Sequence, residues 1–432
     1  MNDTPTAGTT VMNKSAKGLR NRLRNEYIHF RAAPRNMQIL LITNMLYSFV
    51  LPVVELFIGA YIMRNSSNTI LVICFQLALY SGIPLTFLIN GFLLRRIPIA
   101  WLYSFGMLLS GVSMAVMMSL TELDFSGIVL AGLIMGLSYG FFWANRDFLA
   151  LSSTDDGNRN YYYGLESFFY TLAGVVVPYT VGVFIASFSP AGDINTAYRI
   201  VTGIVFLITI LSSAVVFRGK FVNPESRRFV YWRFERLWQK MMSLAALKGI
   251  AQGYIVTAPA MLVMTLAGNE DTLGTVQSVG AILSALMLYL LGRFSAPRHR
   301  LAIFSAGLVL FALGGAFNAA LYSSAGVMLF MLCLVIGRPL MDLAYFPIQL
   351  RVIDCVAARE QRNPFTYIFV HELGLYLGRF AGCGLFLVFA SYLSPGFALR
   401  YALLVIGLAQ LLSIPVARSI IGNLDAEESA RK

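Results

Sequence analysis

Ten ionisable side chains stand inside stretches that are otherwise apolar, and their spacing sets several of them together. Glu55 follows Pro52 by three residues, and Arg146 and Asp147 adjoin each other ahead of Glu166. Lys248 lies four residues before Gln252, and Arg338 four before Asp342, a spacing that puts each couple on one helix face. His371, Glu372 and Arg379 share one stretch. The seven-residue interval keeps Glu372 and Arg379 on one face but about 10 Å apart along the axis. These residue types suit two kinds of chemistry. A carboxylate removed from water exchanges a proton more readily, because burial disfavours its charged form. An arginine binds a carboxylate or phosphate through two parallel hydrogen bonds.

Each of these charges costs roughly 2.5–3.5 kcal/mol near the centre of a membrane, so each needs a reason to be there. A solvated central cavity supplies one. On that reading Arg338, Arg379, Gln252, Lys248 and Asn44 bind a solute. Glu55, Glu372, Asp342 and His371 then exchange protons, and Arg146, Asp147 and Glu166 form a gating ion pair. The competing reading is structural. Arg146–Glu166 and Arg338–Asp342 would then be ion pairs that brace helices. Glu55 would reach an outer vestibule, and His371 would be a hydrogen-bonded packing residue.

The elements that must position these groups follow from composition. Apolar residues make up 57% of the 432 and charged ones 12%, against about 45–50% and 25% in soluble domains. A helix needs about 20 apolar residues to cross the hydrocarbon core. Twelve segments qualify: 37–62, 68–93, 99–119, 126–149, 161–187, 197–217, 243–267, 272–291, 301–322, 326–349, 365–391 and 397–417. The fold class is therefore an all-α polytopic membrane protein with twelve transmembrane helices in two pseudo-symmetric six-helix bundles. Residues 37–217 and 243–417 form the bundles, 218–242 a linker, and 1–36 and 418–432 the tails.

The 33 lysines and arginines orient the chain. Twenty-six fall in alternate connections and the two tails, and only Arg64, Arg199 and Arg400 in the others. The positive-inside rule makes the basic side cytoplasmic, with both termini there, in a plasma or inner membrane. Anionic lipid at that face, not nucleic acid, is the expected partner of the +12 net charge. Two basic segments carry aromatic and aliphatic residues at helical spacing: Leu19, Leu23, Tyr27 and Phe30, then Phe229, Trp232, Phe234 and Trp238 within 224–240. Both read as interfacial helices. Residues 1–36 lack the apolar core of a cleaved signal. The runs Phe141–Trp143 and Tyr161–Tyr163 suit an interfacial aromatic belt.

Glycines recur every four residues at Gly132, Gly136 and Gly140, and again at Gly374, Gly378 and Gly382, a spacing for close helix contact. No P-loop, nucleophile elbow or HExxH motif is present. The four cysteines form no CxxC pair and read as packing residues. Neither an enzyme nor a cofactor is expected.

The halves repeat. LYSFGMLLSG from Leu102 aligns with IFSAGLVLFA from Ile303, 201 positions on, sharing an aromatic residue, Ser and Gly. RNYYYGLESFFY from Arg159 resembles RNPFTYIFVHELGLY from Arg362, which sets Glu166 beside Glu372. A parallel six-helix duplication is the architecture of an alternating-access carrier. With these features the chain resembles the major facilitator superfamily of secondary transporters. The stretch Gly91–Ala100 (GFLLRRIPIA) keeps the Gly, Leu and first Arg of the family's motif between spans two and three. Arg95 replaces its Asp and Pro98 its second Gly. Gly174, Pro178 and Gly182 partly match the family's antiporter motif. The resemblance implies a monomer that carries a small-molecule substrate, polar or amphiphilic, with an anionic solute among the options, and a proton as the coupling ion. A lipid or drug exporter of the same fold, and a receptor or scaffold that kept a carrier fold, are the alternatives.

Overall fold

Among the residues that the computed structural model describes, twelve helices are long and apolar enough to cross a membrane. It describes residue 24 and residues 26–155, 158–223, 230–231, 233–294, 299–362 and 364–431. The spans, numbered in chain order, are Arg35–Ser66, Thr69–Leu93, Ile99–Ser119, Phe125–Ala150, Tyr161–Ser187 and Ile194–Val216. After the linker come Arg236–Ala267, Glu270–Leu290, Arg300–Leu321, Ser324–Glu360, Thr366–Tyr392 and Pro395–Ala426. Spans one to six pack into one bundle and spans seven to twelve into the other. Span two meets span eleven, and span five meets span eight, where the bundles face each other.

Three spans run further on the basic side than their apolar residues alone suggest. Span ten has 37 residues, about 56 Å of helix, against about 30 Å of hydrocarbon. Its last turns carry Arg351, Asp354, Arg359 and Glu360, which favour water. Span seven begins at Arg236 and not near residue 243, and the helix after span twelve continues to Arg431. The interfacial helix expected over 224–240 differs from this. Val230, Tyr231 and residues 233–235 are non-helical, and 236–240 are the first turn of span seven. Phe229 and Trp232 lie outside the described residues, as do Leu19 and Leu23; residues 26–32 are helical.

The glycine ladders are points of backbone contact. A Cβ on Gly136 would stand 2.1 Å from the Leu79 carbonyl oxygen of span two, and one on Gly378 1.9 Å from that of Ala246 in span seven. The repeat has the same physical content. Gly106 abuts Phe141 and Phe142 of span four, and its counterpart Gly307 abuts Gly337 and Met341 of span ten. Gly59 and Ala260, also 201 positions apart, face each other, with a Cβ on Gly59 lying 3.3 Å from that of Ala260. Under two-fold symmetry only residues at the axis meet their own counterparts, so the pseudo-axis passes here.

Spans one and seven are both broken near this axis. Pro52 precedes a π-helical turn, Val53–Phe57, and Pro259 precedes another, Val263–Ala267. Proline removes a backbone donor and bends a helix, and wide turns of this kind mark functional sites.

Gly378→Val should destabilise the protein by roughly 1–3 kcal/mol through overpacking. Gly203→Val, where an added Cβ meets nothing within 4 Å, should leave the melting temperature in detergent within a degree or two.

Candidate functional site

A cavity of about 380 Å³ lies between the bundles, bounded on one side by spans one, two and four and on the other by spans seven, nine, ten, eleven and twelve. It runs from Glu55 toward the basic end, past Trp143, Leu244, Phe346 and Ser413. Glu55, Lys248, Gln252, Arg338, Asp342, Glu372 and Arg379 all line it. Seven of the expected site residues thus line one cavity, Glu55 from the first bundle and the other six from the second.

Most of these charges are already matched. Arg379 donates to Glu372 Oε1 at 2.5 Å and to Gln252 Oε1 at 2.9 Å, and its guanidinium lies 4.8 Å from the centre of the Tyr80 ring. The expected 10 Å separation of Glu372 and Arg379 is therefore a backbone distance only, and their long side chains close it. Lys248 Nζ donates to Asp342 Oδ1 at 2.8 Å between the rings of Tyr345 and Phe346. The expected Arg338–Asp342 pair is present as a loose contact, and Lys248 is the closer partner of Asp342. Arg338 is 3.9 Å from Asp342, with its side chain 65% exposed to the cavity space.

Glu55 differs from the other acids. It sits in the π-helical turn of span one and is solvent-accessible although it lies deep between the bundles. Among the described residues no group lies within hydrogen-bond or ion-pair distance of it. Arg338 attracts it across the cavity, and the phenols of Tyr47, Tyr80 and Tyr139 are the other titratable groups that sense its charge. Glu55 and Arg338 also line a second cavity, of about 300 Å³, beside spans five and eight.

Two expected site residues lie elsewhere. Asn44 is buried, and its amide donates to Glu166 Oε1 at 2.6 Å and to the Tyr162 hydroxyl at 2.9 Å, while the Tyr103 hydroxyl donates to its oxygen. It belongs to the Arg146–Glu166 cluster and not to the cavity wall. His371 is buried behind the wall, its Nε2 2.6 Å from the Tyr345 hydroxyl.

The Arg146–Asp147–Glu166 group also changes meaning. Arg146 binds Glu166 through Nε at 3.0 Å and through Nη2, and reaches Asp147 at 2.6 Å. All three residues belong to spans four and five of one bundle, so the pair cannot join the two bundles. Of the aromatic belt expected nearby, Phe142 and Tyr162 are fully buried and Trp143 borders the cavity, whereas Tyr163 is exposed.

Among the described residues, the ion pair that does join the bundles is one that the sequence did not mark. Arg64, at the end of span one, holds Glu270, at the start of span eight, through Nε–Oε1 at 2.9 Å and Nη2–Oε2 at 2.5 Å. The Tyr198 hydroxyl adds a third bond to Glu270 at 3.1 Å. Gly274 packs on the Pro178 carbonyl beside it. These contacts close the end opposite the basic face. Nearer the middle, the Tyr80 hydroxyl donates to the Gln252 carbonyl at 2.8 Å, and Ser81 and Tyr376 hydroxyls meet at 3.1 Å. In sequence, Arg64 and Glu270 look like ordinary loop charges. Only their separation of 206 residues, close to the repeat period, hints that the pseudo-axis brings them together.

Breaking a buried pair on one side costs roughly 3–5 kcal/mol. Arg64 is one-third exposed, so Glu270→Ala should cost on the order of 2 kcal/mol. Asp147, 59% exposed, should lose less than about 1 kcal/mol on conversion to Ala. Thermal melts of the two variants check the contrast.

The sequence model of the Major Facilitator Superfamily matches residues 39–382. The Bacillus subtilis (strain 168) protein named "Uncharacterized protein YqgE" is 23% identical over 377 residues, which is 85% of each chain. A bacterial homologue of the iron transporter ferroportin, solved in an inward-facing state, superposes with a TM-score of 0.65 at 16% identity, over 89% of this chain and 98% of its own. A structure from work on substrate recognition in proton-dependent oligopeptide transporters gives 0.67 at 11% identity, over 90% and 99%.

Proposed function

The chain belongs to the major facilitator superfamily, and on that premise we propose that it is a proton-coupled secondary transporter for a small solute with an anionic group. One observation carries this reading. In a cavity where Lys248 is bonded to Asp342 and Arg379 to Glu372, Glu55 has no close partner among the described residues, and Arg338, paired only loosely with Asp342 at 3.9 Å, keeps its side chain largely exposed.

Their juxtaposition supplies a coupling rule. With Glu55 ionised, an entering anion meets its repulsion, and Arg338 is drawn toward Glu55. A proton on Glu55 removes both effects and leaves the Arg338 guanidinium to donate two parallel bonds to the anion. Proton and anion then favour each other's binding, and linkage makes that preference mutual. Arg379, Gln252 and Lys248 receive the remaining polar groups of the solute. Glu372 and Asp342 hold those cations in place, and His371 holds Tyr345 behind Lys248.

With the basic face in the cytoplasm, the cavity belongs to the inward side and the Arg64–Glu270 junction seals the outward one. Rocking the bundles about the Gly59–Ala260 contact would break that junction and expose Glu55 and Arg338 to the other side, which is alternating access by parallel repeats. Arg146, Asp147 and Glu166 brace the first bundle as it moves.

A thermal-protection screen of small organic anions identifies a ligand, since one that binds only the folded state raises the melting temperature. Arg338→Ala should weaken that ligand about 10- to 100-fold, the value of a charged hydrogen-bonded contact. In proteoliposomes, Glu55→Gln should keep solute counterflow and lose its drive by a pH gradient. Full gradient-driven uptake in Glu55→Gln would overturn the coupling assignment.

A further inference from the structure

The second cavity has no part in holding the charges described so far, yet it opens on the same two. It is walled by Leu56, Ile255, Val256, Met331, Leu334 and Val335, with Pro52 and Pro259 at the two helix breaks. The broken turns of spans one and seven thus help to shape it. Four polar side chains line it: Glu55 and Arg338, then Gln277, and Ser284, whose hydroxyl already donates to the Val335 carbonyl at 3.0 Å. Glu55, Ile255, Val256 and Arg338 form the boundary with the main cavity, since all four line both spaces.

A space of about 300 Å³ exceeds by roughly tenfold the volume that one water molecule occupies in the liquid. Away from those four polar side chains, the wall of Leu56, Met331, Leu334, Val335 and Ala281 offers water few partners, and apolar matter fits it. A ligand with its anionic group on Arg338 therefore has an apolar space within reach of the same atom. We propose that this side chamber is a specificity subsite that receives the apolar part of the solute, making the transported class amphiphilic monoanions: a single carboxylate or similar head group joined to a hydrocarbon body. The proposal rests on the anion-carrier reading and narrows it.

The test uses linear alkanoates of two to eight carbons as probes, with the matching n-alcohols as controls. Binding to the full chain in nanodiscs is measured at pH 5.5 by calorimetry against empty nanodiscs. Affinity should rise about fourfold for each added methylene until the chamber is full. Alcohols, lacking the charge, should bind at least tenfold more weakly. Ala281→Leu fills part of the chamber and should move the optimum to shorter chains. Leu334→Ala enlarges it and should move the optimum to longer ones. The two variants act in opposite directions, so misfolding of one leaves the other decisive.

A flat length profile in the wild type, or an optimum that a folded variant leaves unmoved, overturns the chamber assignment. Flux of any anion under a pH gradient alongside a flat profile removes the chamber and leaves the carrier. A length-dependent profile in a protein that moves no solute removes the carrier and leaves the chamber.

Discussion

Charge is expensive where water is scarce, and the centre of this molecule is arranged around that cost. Lys248 lies on Asp342, Arg379 on Glu372 and Gln252, Arg146 on Glu166, and Arg64 on Glu270. Each pairing ties two spans together, and the last ties the two bundles. A buried pair is weak evidence for stability, because desolvation offsets most of its attraction. Its stronger effect is positional: once one partner is fixed, the other has nowhere else to go. Against that background Glu55 and Arg338 stand out. Among the described residues Glu55 has no close bond, and Arg338 has only the loose 3.9 Å ion pair with Asp342, which leaves guanidinium donors for something else to complete.

The backbone makes this possible. Glycines at Gly136 and Gly378 let helices touch along their carbonyls, which leaves no slack inside each bundle. The loose joints lie instead in spans one and seven, beside the pseudo-axis, where Pro52 and Pro259 precede wide helical turns. Glu55 sits in one of those turns. A carboxylate on a broken helix near the rotation axis is well placed to sense both its own protonation and the relative attitude of the bundles.

Much of this was legible in the sequence. Hydropathy gave the twelve spans, and the LYSFG/IFSAG repeat gave glycines that do pack on spans four and ten. Helical spacing brought Lys248 and Gln252, and Glu372 and Arg379, to the cavity wall. The partners were harder. Asp342 pairs with Arg338 at 3.9 Å as i,i+4 spacing suggests, yet its closer bond is to Lys248 from another span, because tertiary approach outweighs a local rule. Asn44 carries no mark of belonging to Glu166, 122 residues away. Arg64 and Glu270 resemble solvated loop charges, since nothing local separates such a charge from a junction between bundles. Helix ends were misjudged where a helix outruns the membrane, as span ten does, because hydropathy reports the hydrocarbon boundary and not the end of the helix.

The central claim is that a proton on Glu55 and an anion on Arg338 bind together. Calorimetric titration of hexanoate at pH 8, in buffers of differing ionisation heat, counts the protons taken up per anion bound. The account predicts close to one for the wild-type protein and none for Glu55→Gln. Hexanoate bound by the wild type with no proton uptake would contradict it.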